Sequence, residues 1–93
     1  MKKISVITVE ATPEVIRGAL SRWMIEPTVG VFVGELPHKV RNAVWDLITE
    51  NMQTGRACFI YPDNNEQGIS IKTHGDTKRE ISDFEGISLV TLL

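Results

Sequence analysis

Apolar positions follow two different periods along the chain, and the change of period predicts where strands and helices lie. Segment 4–9 is β-branched and alternates loosely, which predicts a buried strand that ends at Glu10. The Thr-Pro-Glu string at 12–14 then predicts a helix start, because it supplies a hydroxyl cap, a proline where no N–H is needed and an acid beside the positive helix end. We expect this first helix to reach about Met24.

Two helices are predicted, each with an apolar stripe. The residues expected on the buried face of the first helix are Ile16, Ala19, Leu20, Trp23 and Met24. The second helix opens at Pro37, is the longer of the two and has Gly55 at the position of a left-handed C-cap. Its stripe consists of Val40, Ala43, Val44, Leu47, Ile48 and Met52. Because Trp23 and Trp45 lie at stripe positions, we expect them in the core or as dimer anchors and not as base-stacking platforms.

Strand-forming residues bounded by turn signals occupy four further segments, namely 29–34, 56–61, 69–73 and 87–93. A polar loop at 62–68 joins two of them as a hairpin. The stretch between Pro27 and Pro37 has room for one strand, whereas a ferredoxin-like β-α-β-β-α-β order needs two strands between the helices. The residues therefore predict an α+β fold with two helices on one face of a mainly antiparallel sheet. They leave the strand order open between the ferredoxin-like sandwich and a variant of it.

The carboxy-terminal segment 87–93 is apolar to its last residue and follows a predicted turn at 83–86. An apolar strand on an open sheet edge invites aggregation. We therefore expect this strand to pair with a second copy of the chain, which predicts a homodimer.

Size and composition indicate one soluble globular domain spanning 1–93, since the chain has 93 residues, 42% hydrophobic and 24% charged. No apolar run is long enough to cross a membrane, and Glu10 interrupts the apolar stretch behind the first lysines, so we expect no signal peptide and a cytoplasmic protein.

The net charge of −2 argues against coating nucleic acid by bulk charge but is compatible with a local basic patch. Cys58, His38 and His74 are too isolated in sequence to suggest a disulfide or a zinc site.

Glu10 lies where a strand ends and a helix has yet to begin, a position from which a side chain can project into a cleft. One carboxylate makes a poor site, but a two-fold dimer would supply a second copy, and two facing carboxylates are suitable oxygen ligands for magnesium. The alternative is a solvated acid in a turn.

A scattered basic set is the second candidate, and its members are Arg17, Arg22, Lys39, Arg41, Lys78 and Arg79. If the two helices and the late loop converge, a dimer would double this set along the phosphates of a duplex. The alternative is ordinary surface charge balanced by twelve acidic residues. No glycine-rich phosphate loop and no nucleophile motif occurs in the sequence.

Eight strings together carry a family resemblance: 7–10 (Ile-Thr-Val-Glu), 12–13 (Thr-Pro), 17–23 (Arg-Gly-Ala-Leu-Ser-Arg-Trp), 30–34 (Gly-Val-Phe-Val-Gly), 39–41 (Lys-Val-Arg) with Trp45, 66–68 (Glu-Gln-Gly), 78–79 (Lys-Arg) and 85–90 (Glu-Gly-Ile-Ser-Leu-Val). In this order, and over nearly the whole chain, they resemble the Cas2 family of small CRISPR-associated adaptation proteins, in its type I-E branch. The combination is specific, although no single string is.

The resemblance implies a ferredoxin-like homodimer whose carboxy-terminal strands cross to the partner, with two strands between the helices. It also implies a role in CRISPR spacer acquisition, in which the dimer sits between two dimers of the CRISPR-associated integrase and holds a short duplex of foreign DNA. The integrase performs the transesterification. Arg17, Lys39, Lys78 and Arg79 match positions expected to meet the DNA backbone, and segment 87–93 is expected to meet the integrase.

One departure from the family pattern concerns Glu10, because many relatives outside this branch carry an aspartate there and are described as metal-dependent endonucleases of RNA or DNA. Val15 is also apolar where a basic residue would help a DNA contact. Our leading hypothesis is a non-catalytic scaffold that holds double-stranded DNA and bridges integrase dimers. The alternative is a magnesium-dependent endonuclease with Glu10 as its catalytic and metal-binding residue, and a third hypothesis is a small-molecule-binding regulatory domain.

Overall fold

The computed structural model describes residues 3–75, 79–84 and 87–92. Its helices and strands follow one another as β1 (Ser5–Glu10), α1 (Glu14–Leu20), β2 (Ile25–Thr28), β3 (Val31–Gly34), α2 (His38–Asn51), β4 (Arg56–Pro62), β5 (Ile69–His74), β6 (Arg79–Phe84) and β7 (Ile87–Leu92). The strands predicted at 56–61 and 69–73 are confirmed to within one residue.

β1 lies at the centre of a five-stranded antiparallel sheet with the order β2-β3-β1-β4-β5. Ile7 of β1 is opposite Phe32 of β3 on one side and Phe59 of β4 on the other. The first four strands and the two helices give the β-α-β-β-α-β order of a ferredoxin-like fold, and β5 extends the sheet beyond β4. The α+β, ferredoxin-like prediction is therefore confirmed.

The segment between the helices corrects the sequence-based prediction of one strand, since two strands, β2 and β3, lie there. Space for β2 arises because α1 ends at Leu20 and not near Met24: the N–H groups of Trp23 and Met24 both donate to the Leu20 carbonyl, at 3.0 and 2.9 Å. Pro27 lies inside β2, where it is tolerated because β2 is an edge strand of the sheet. The turn at 29–30, which was predicted to be part of a strand, joins β2 to β3.

The helix starts differ by one residue from the prediction. α1 begins at Glu14 with Pro13 as its N-cap, and no side chain caps it, so the predicted Thr12 hydroxyl cap is wrong. α2 begins at His38 with Pro37 as its N-cap. Both prolines hold the extended backbone from which a helix can start.

Both helices cover the same face of the sheet, and twelve side chains form the core between them: Ile7, Val9, Ile16, Leu20, Met24, Phe32, Leu36, Val44, Ile48, Met52, Ala57 and Phe59. Trp45 packs against this core from its margin, with its ring centroid 5.9 Å from that of Phe59. Trp23 is 49% exposed, so it does not belong to the core, because the helix has already ended before this position; its alternative role as a dimer anchor stays a prediction. Ala43 is also exposed, at the edge of the α2 stripe.

The opposite face of the five-stranded sheet carries an apolar band, beside which Thr8 and Thr73 lie on the same face. Its register places Val6 opposite both Val33 and Ile60, and Ile60 opposite Ile71. These side chains are partly exposed, and neither α1 nor α2 covers them. We call the band formed by Val6, Val31, Val33, Ile60 and Ile71 the open face.

β6 and β7 pair with each other as a separate two-stranded sheet, from Arg79 opposite Leu92 to Phe84 opposite Ile87. The strand predicted at 87–93 is confirmed as β7, with Leu93 outside the described residues. β6 was not predicted, because its two apolar residues, Ile81 and Phe84, are three positions apart and show no two-residue alternation; positions 83 and 84, predicted as part of a turn, belong to this strand. Pairing across a dimer stays a prediction.

Candidate functional site

Glu10 occupies the last position of β1 and lies directly opposite Arg56, the first residue of β4. The Arg56 guanidinium donates to a carboxylate oxygen of Glu10, and the two side chains form an ion pair across the strands. Both side chains remain accessible, with 63% of Glu10 and 39% of Arg56 exposed. Glu10 was expected from the sequence, whereas no sequence signal pointed to Arg56, because the two residues are 46 positions apart.

The backbone around this pair is closely packed. A Cβ at Gly55 would lie 2.5 Å from the Ala11 carbonyl oxygen and 2.7 Å from the Glu10 carbonyl oxygen, so only glycine fits beside the end of β1. Gly55 therefore serves this close approach and is not the left-handed C-cap predicted for α2, a conformation that Gln53 adopts with φ of 59°. A Cβ at Gly75 would in turn lie 2.4 Å from the Gly55 carbonyl oxygen. The end of β1, the start of β4 and the end of β5 therefore approach one another closely beside Glu10 and Arg56.

Within one protomer the donor set at this strand end does not suit Mg²⁺, and the predicted site of two Glu10 carboxylates, which needs a second copy of the chain, stays a prediction. Mg²⁺ prefers carboxylate and water oxygens in an octahedral arrangement, whereas the described surroundings of Glu10 offer one carboxylate that a guanidinium already engages. Within residues 3–75, 79–84 and 87–92 no group of three His, Cys, Asp or Glu side chains is placed to hold a metal ion.

Arg17, predicted to meet the DNA backbone, lies on α1 and forms an ion pair with Glu26 of the edge strand β2. Its guanidinium carbon is also 5.7 Å from the centroid of the Phe32 ring. The same Glu26 oxygen accepts a hydrogen bond from the backbone N–H of Gly30 at 2.8 Å. Arg17 is therefore partly engaged within the protein, with 30% of its side chain exposed.

A basic cleft of about 690 Å³ opens beside the start of α2, and Lys3, Glu35, His38 and Arg41 contribute its charged and polar lining. Arg41 is held in place by several contacts: it donates to the Pro62 carbonyl at 2.9 Å, meets His38 Nδ1 at 2.6 Å and stacks 5.1 Å from the Tyr61 ring. No acidic side chain lies in the first turn of α2. The cleft thus combines the cationic side chains of Lys3 and Arg41 and the positive end of a helix with one carboxylate, that of Glu35.

Lys39, the second predicted DNA contact, is exposed in that same first turn of α2. The predicted contacts on the late loop fall elsewhere: Lys78 lies outside the described residues, and Arg79 begins β6 instead of lying in a loop. Lys39 thus shares the first turn of α2 with His38 and Arg41, which line the cleft, but is not itself part of the lining, whereas Arg17 pairs with Glu26 of β2.

The loop at 63–68 follows Pro62, the last residue of β4 and part of the cleft lining, and is organised by Asp63. The Asp63 carboxylate accepts hydrogen bonds from the Ser70 hydroxyl and from the backbone N–H of Asn64, the latter at 2.8 Å. These hydrogen bonds, together with the charge of Arg41, hold the pKa of Asp63 below its ordinary value.

Among the described residues, no helix is long and apolar enough to span a membrane. Residues 4–89 match the sequence model of a family described as CRISPR-associated protein (Cas_Cas2CT1978).

Proposed function

Because the chain belongs to this Cas2-type family of CRISPR-associated proteins, we propose that it acts in spacer acquisition as a DNA-binding homodimeric scaffold. The dimer bridges CRISPR-associated integrase dimers on a short DNA duplex in the cytoplasm, in the manner of the type I-E branch. The integrase carries out the chemistry, and this chain supplies the surface on which duplex and integrase are held.

The observation that carries the proposal is the apolar open face of the sheet. Five aliphatic side chains on four adjacent strands present an apolar band opposite the helices. A two-fold axis brings this band against its own copy, which removes apolar surface from water on both protomers and needs no charged partner. The open face therefore supports a homodimer independently of the carboxy-terminal strand.

Dimerisation doubles the basic groups available to a duplex. Lys39 and Arg41 both lie in the first turn of α2, two positions apart and so on different sides of the helix, where Lys39 is exposed and Arg41 is fixed by Pro62 and Tyr61. Contacts of this kind neutralise phosphates without reading bases, so they suit a protein that holds duplexes of any sequence. The net charge of −2 favours binding through such local groups over binding through the charge of the whole protein.

The scaffold is favoured over the endonuclease by the pairing of Glu10 with Arg56. A two-fold dimer that brought two Glu10 carboxylates together would bring two Arg56 guanidinium groups with them, so that their formal charges cancel. Paired carboxylates suit a divalent cation only when their negative charge is not already neutralised. The endonuclease built on Glu10 stays as the second proposal, for which the described residues offer no additional ligand.

The test is integration of a short duplex into a repeat-bearing plasmid by the cognate integrase, with wild-type protein, without it, and with Glu10→Gln. The scaffold predicts that wild type and Glu10→Gln restore integration equally and leave the duplex uncut. Restoration by wild type alone would contradict the scaffold and support participation of the carboxylate.

A parallel measurement of duplex binding examines the proposed contact surface. Lys39→Gln is expected to weaken binding and to reduce the slope of log K against log salt by about one for each phosphate that is no longer neutralised, whereas Lys39→Arg keeps the charge and should keep the slope. Equal slopes for wild type and Lys39→Gln would remove Lys39 from the DNA surface.

A further inference from the structure

At the end of β1, the carboxylate that a metal ion would need is that of Glu10, and the cationic side chain of Arg56 already pairs with it. The Arg56 guanidinium donates to a Glu10 oxygen across neighbouring strands. Guanidinium and carboxylate match in shape and in charge, so the pair satisfies the carboxylate without any added ion.

The pair is also built on a backbone that leaves little freedom to rearrange. Gly55 and Gly75 allow three strand ends to approach more closely than any side chain would permit. Ala11, which follows Glu10, adopts φ of 54°, a conformation that non-glycine residues rarely take. Residues on both sides of the pair are thus fixed by close backbone contacts, and the relative position of Glu10 and Arg56 follows from the fold.

We propose that Arg56 is an internal counter-ion that occupies Glu10 in place of a divalent cation. The chain consequently excludes Mg²⁺ and Mn²⁺ from this strand end, and removing Arg56 creates a weak divalent-cation site there. This inference concerns the two side chains alone and holds whether or not the protein is a DNA scaffold.

The strength of the expected effect follows from simple electrostatics. A guanidinium next to the carboxylate repels an approaching divalent cation and competes for the same oxygen. Removing one positive charge a few ångströms from the site is expected to raise the affinity for Mn²⁺ by about tenfold or more, given the interaction energies of charges near a protein surface.

The experiment is a titration of the full chain with MnCl₂, followed by paramagnetic broadening of backbone amide signals. Wild type is expected to show no saturable broadening at Glu10 and Ala11, whereas Arg56→Gln is expected to show it at both. The double variant Glu10→Gln/Arg56→Gln should lose it again, because the ligand is gone. Arg56→Lys keeps a cation and should behave as wild type.

Thermal unfolding of each variant, measured alongside, establishes that the broadening reports a folded protein, and Arg56→Met, which keeps an unbranched side chain without the charge, replaces Arg56→Gln if that variant does not fold. Binding of Mn²⁺ at Glu10 by wild type or by Arg56→Lys, removed by Glu10→Gln, would overturn the inference. So would a folded Arg56→Gln that shows no broadening at Glu10. None of these outcomes depends on DNA binding or integration, so this inference can fail while the scaffold stands.

Discussion

Glu26 accepts a hydrogen bond of 2.8 Å from the backbone N–H of Gly30, and this bond closes the turn between the two strands that separate the helices. Arg17 pairs with the same carboxylate from α1. A single acidic side chain therefore links the first helix to the edge hairpin, and one of the residues predicted to meet DNA takes part in that link.

The double role of Arg17 can be separated by two substitutions. Arg17→Ala removes the ion pair and the contact with the Phe32 ring, and we expect it to lower the free energy of unfolding by about 1 kcal/mol. Glu26→Gln retains an acceptor for Gly30 but removes the negative charge, so in the scaffold it should strengthen duplex binding, whereas Arg17→Ala weakens it. Fluorescence anisotropy at several salt concentrations measures both effects. If neither substitution changes the affinity of the folded protein, Arg17 serves only to fasten α1 to β2.

The turn glycines provide a matched set of stability predictions. Gly30 has φ of +81°, and a Cβ there would lie 2.7 Å from the Val9 carbonyl oxygen, so Gly30→Ala should destabilise by about 2 to 3 kcal/mol. Gly68 has nearly the same φ of +80° but nothing within 4 Å, so Gly68→Ala should cost only about 1 to 2 kcal/mol for its conformation. Urea unfolding compares the two variants. Equal losses of stability in Gly30→Ala and Gly68→Ala would show that crowding against the Val9 carbonyl oxygen adds nothing to the effect at Gly30.

A third glycine is expected to respond in the opposite direction. Gly18 lies in α1, and a Cβ at this position would have no neighbouring atom within 4 Å, so Gly18→Ala should stabilise the protein by about 0.5 to 1 kcal/mol through its higher helix propensity. The same urea titration measures the change in the free energy of unfolding. A loss of stability in Gly18→Ala would contradict the open space around this position of α1.

The open face is predicted to hold the dimer together. Val6 lies at its centre, between Val33 and Ile60, and Val6→Lys would place a charge in the middle of an apolar contact. We expect wild type to sediment as a dimer and Val6→Lys as a monomer in equilibrium ultracentrifugation. Val15→Lys, at an exposed position of α1, is the control and should remain dimeric. A wild-type monomer at micromolar concentration, or a dimeric Val6→Lys, would contradict the assignment of this face.

Asp63 makes a pH prediction whose sign follows from its hydrogen bonds. Because donation from Ser70 and Asn64 favours the charged carboxylate, the pKa of Asp63 in the folded protein lies below its value in the unfolded chain. The corresponding stabilisation is complete above the unfolded pKa and is lost as the pH falls through the folded one. An NMR titration of the carboxyl carbon should show the lowered pKa, and Ser70→Ala should raise it towards the ordinary value. An unchanged pKa in that variant would rule out the Ser70 hydroxyl as the main cause.

Candidate residues were identified from the sequence only where a local pattern pointed to them. Glu10 follows a buried strand and Lys39 begins a helix, so both positions could be recognised from a few neighbouring residues. Arg56 could not be recognised as the partner of Glu10, because their pairing depends on how β1 and β4 align. Arg41 was noticed only as one of several basic residues, since its contacts with Tyr61 and Pro62 come from a strand far along the chain.

Elements with local signals could be predicted from the amino-acid sequence: the buried strand before Glu10, the long second helix, and the hairpin around the polar loop at 62–68. Apolar periodicity and turn residues suffice there because the interactions that they report lie within a few positions of one another. Three features could be recognised only in the tertiary structure: α1 ends at Leu20, Pro27 belongs to an edge strand, and Arg56 neutralises Glu10. They depend on which strands become neighbours in the sheet, and strand register joins residues that no local pattern connects.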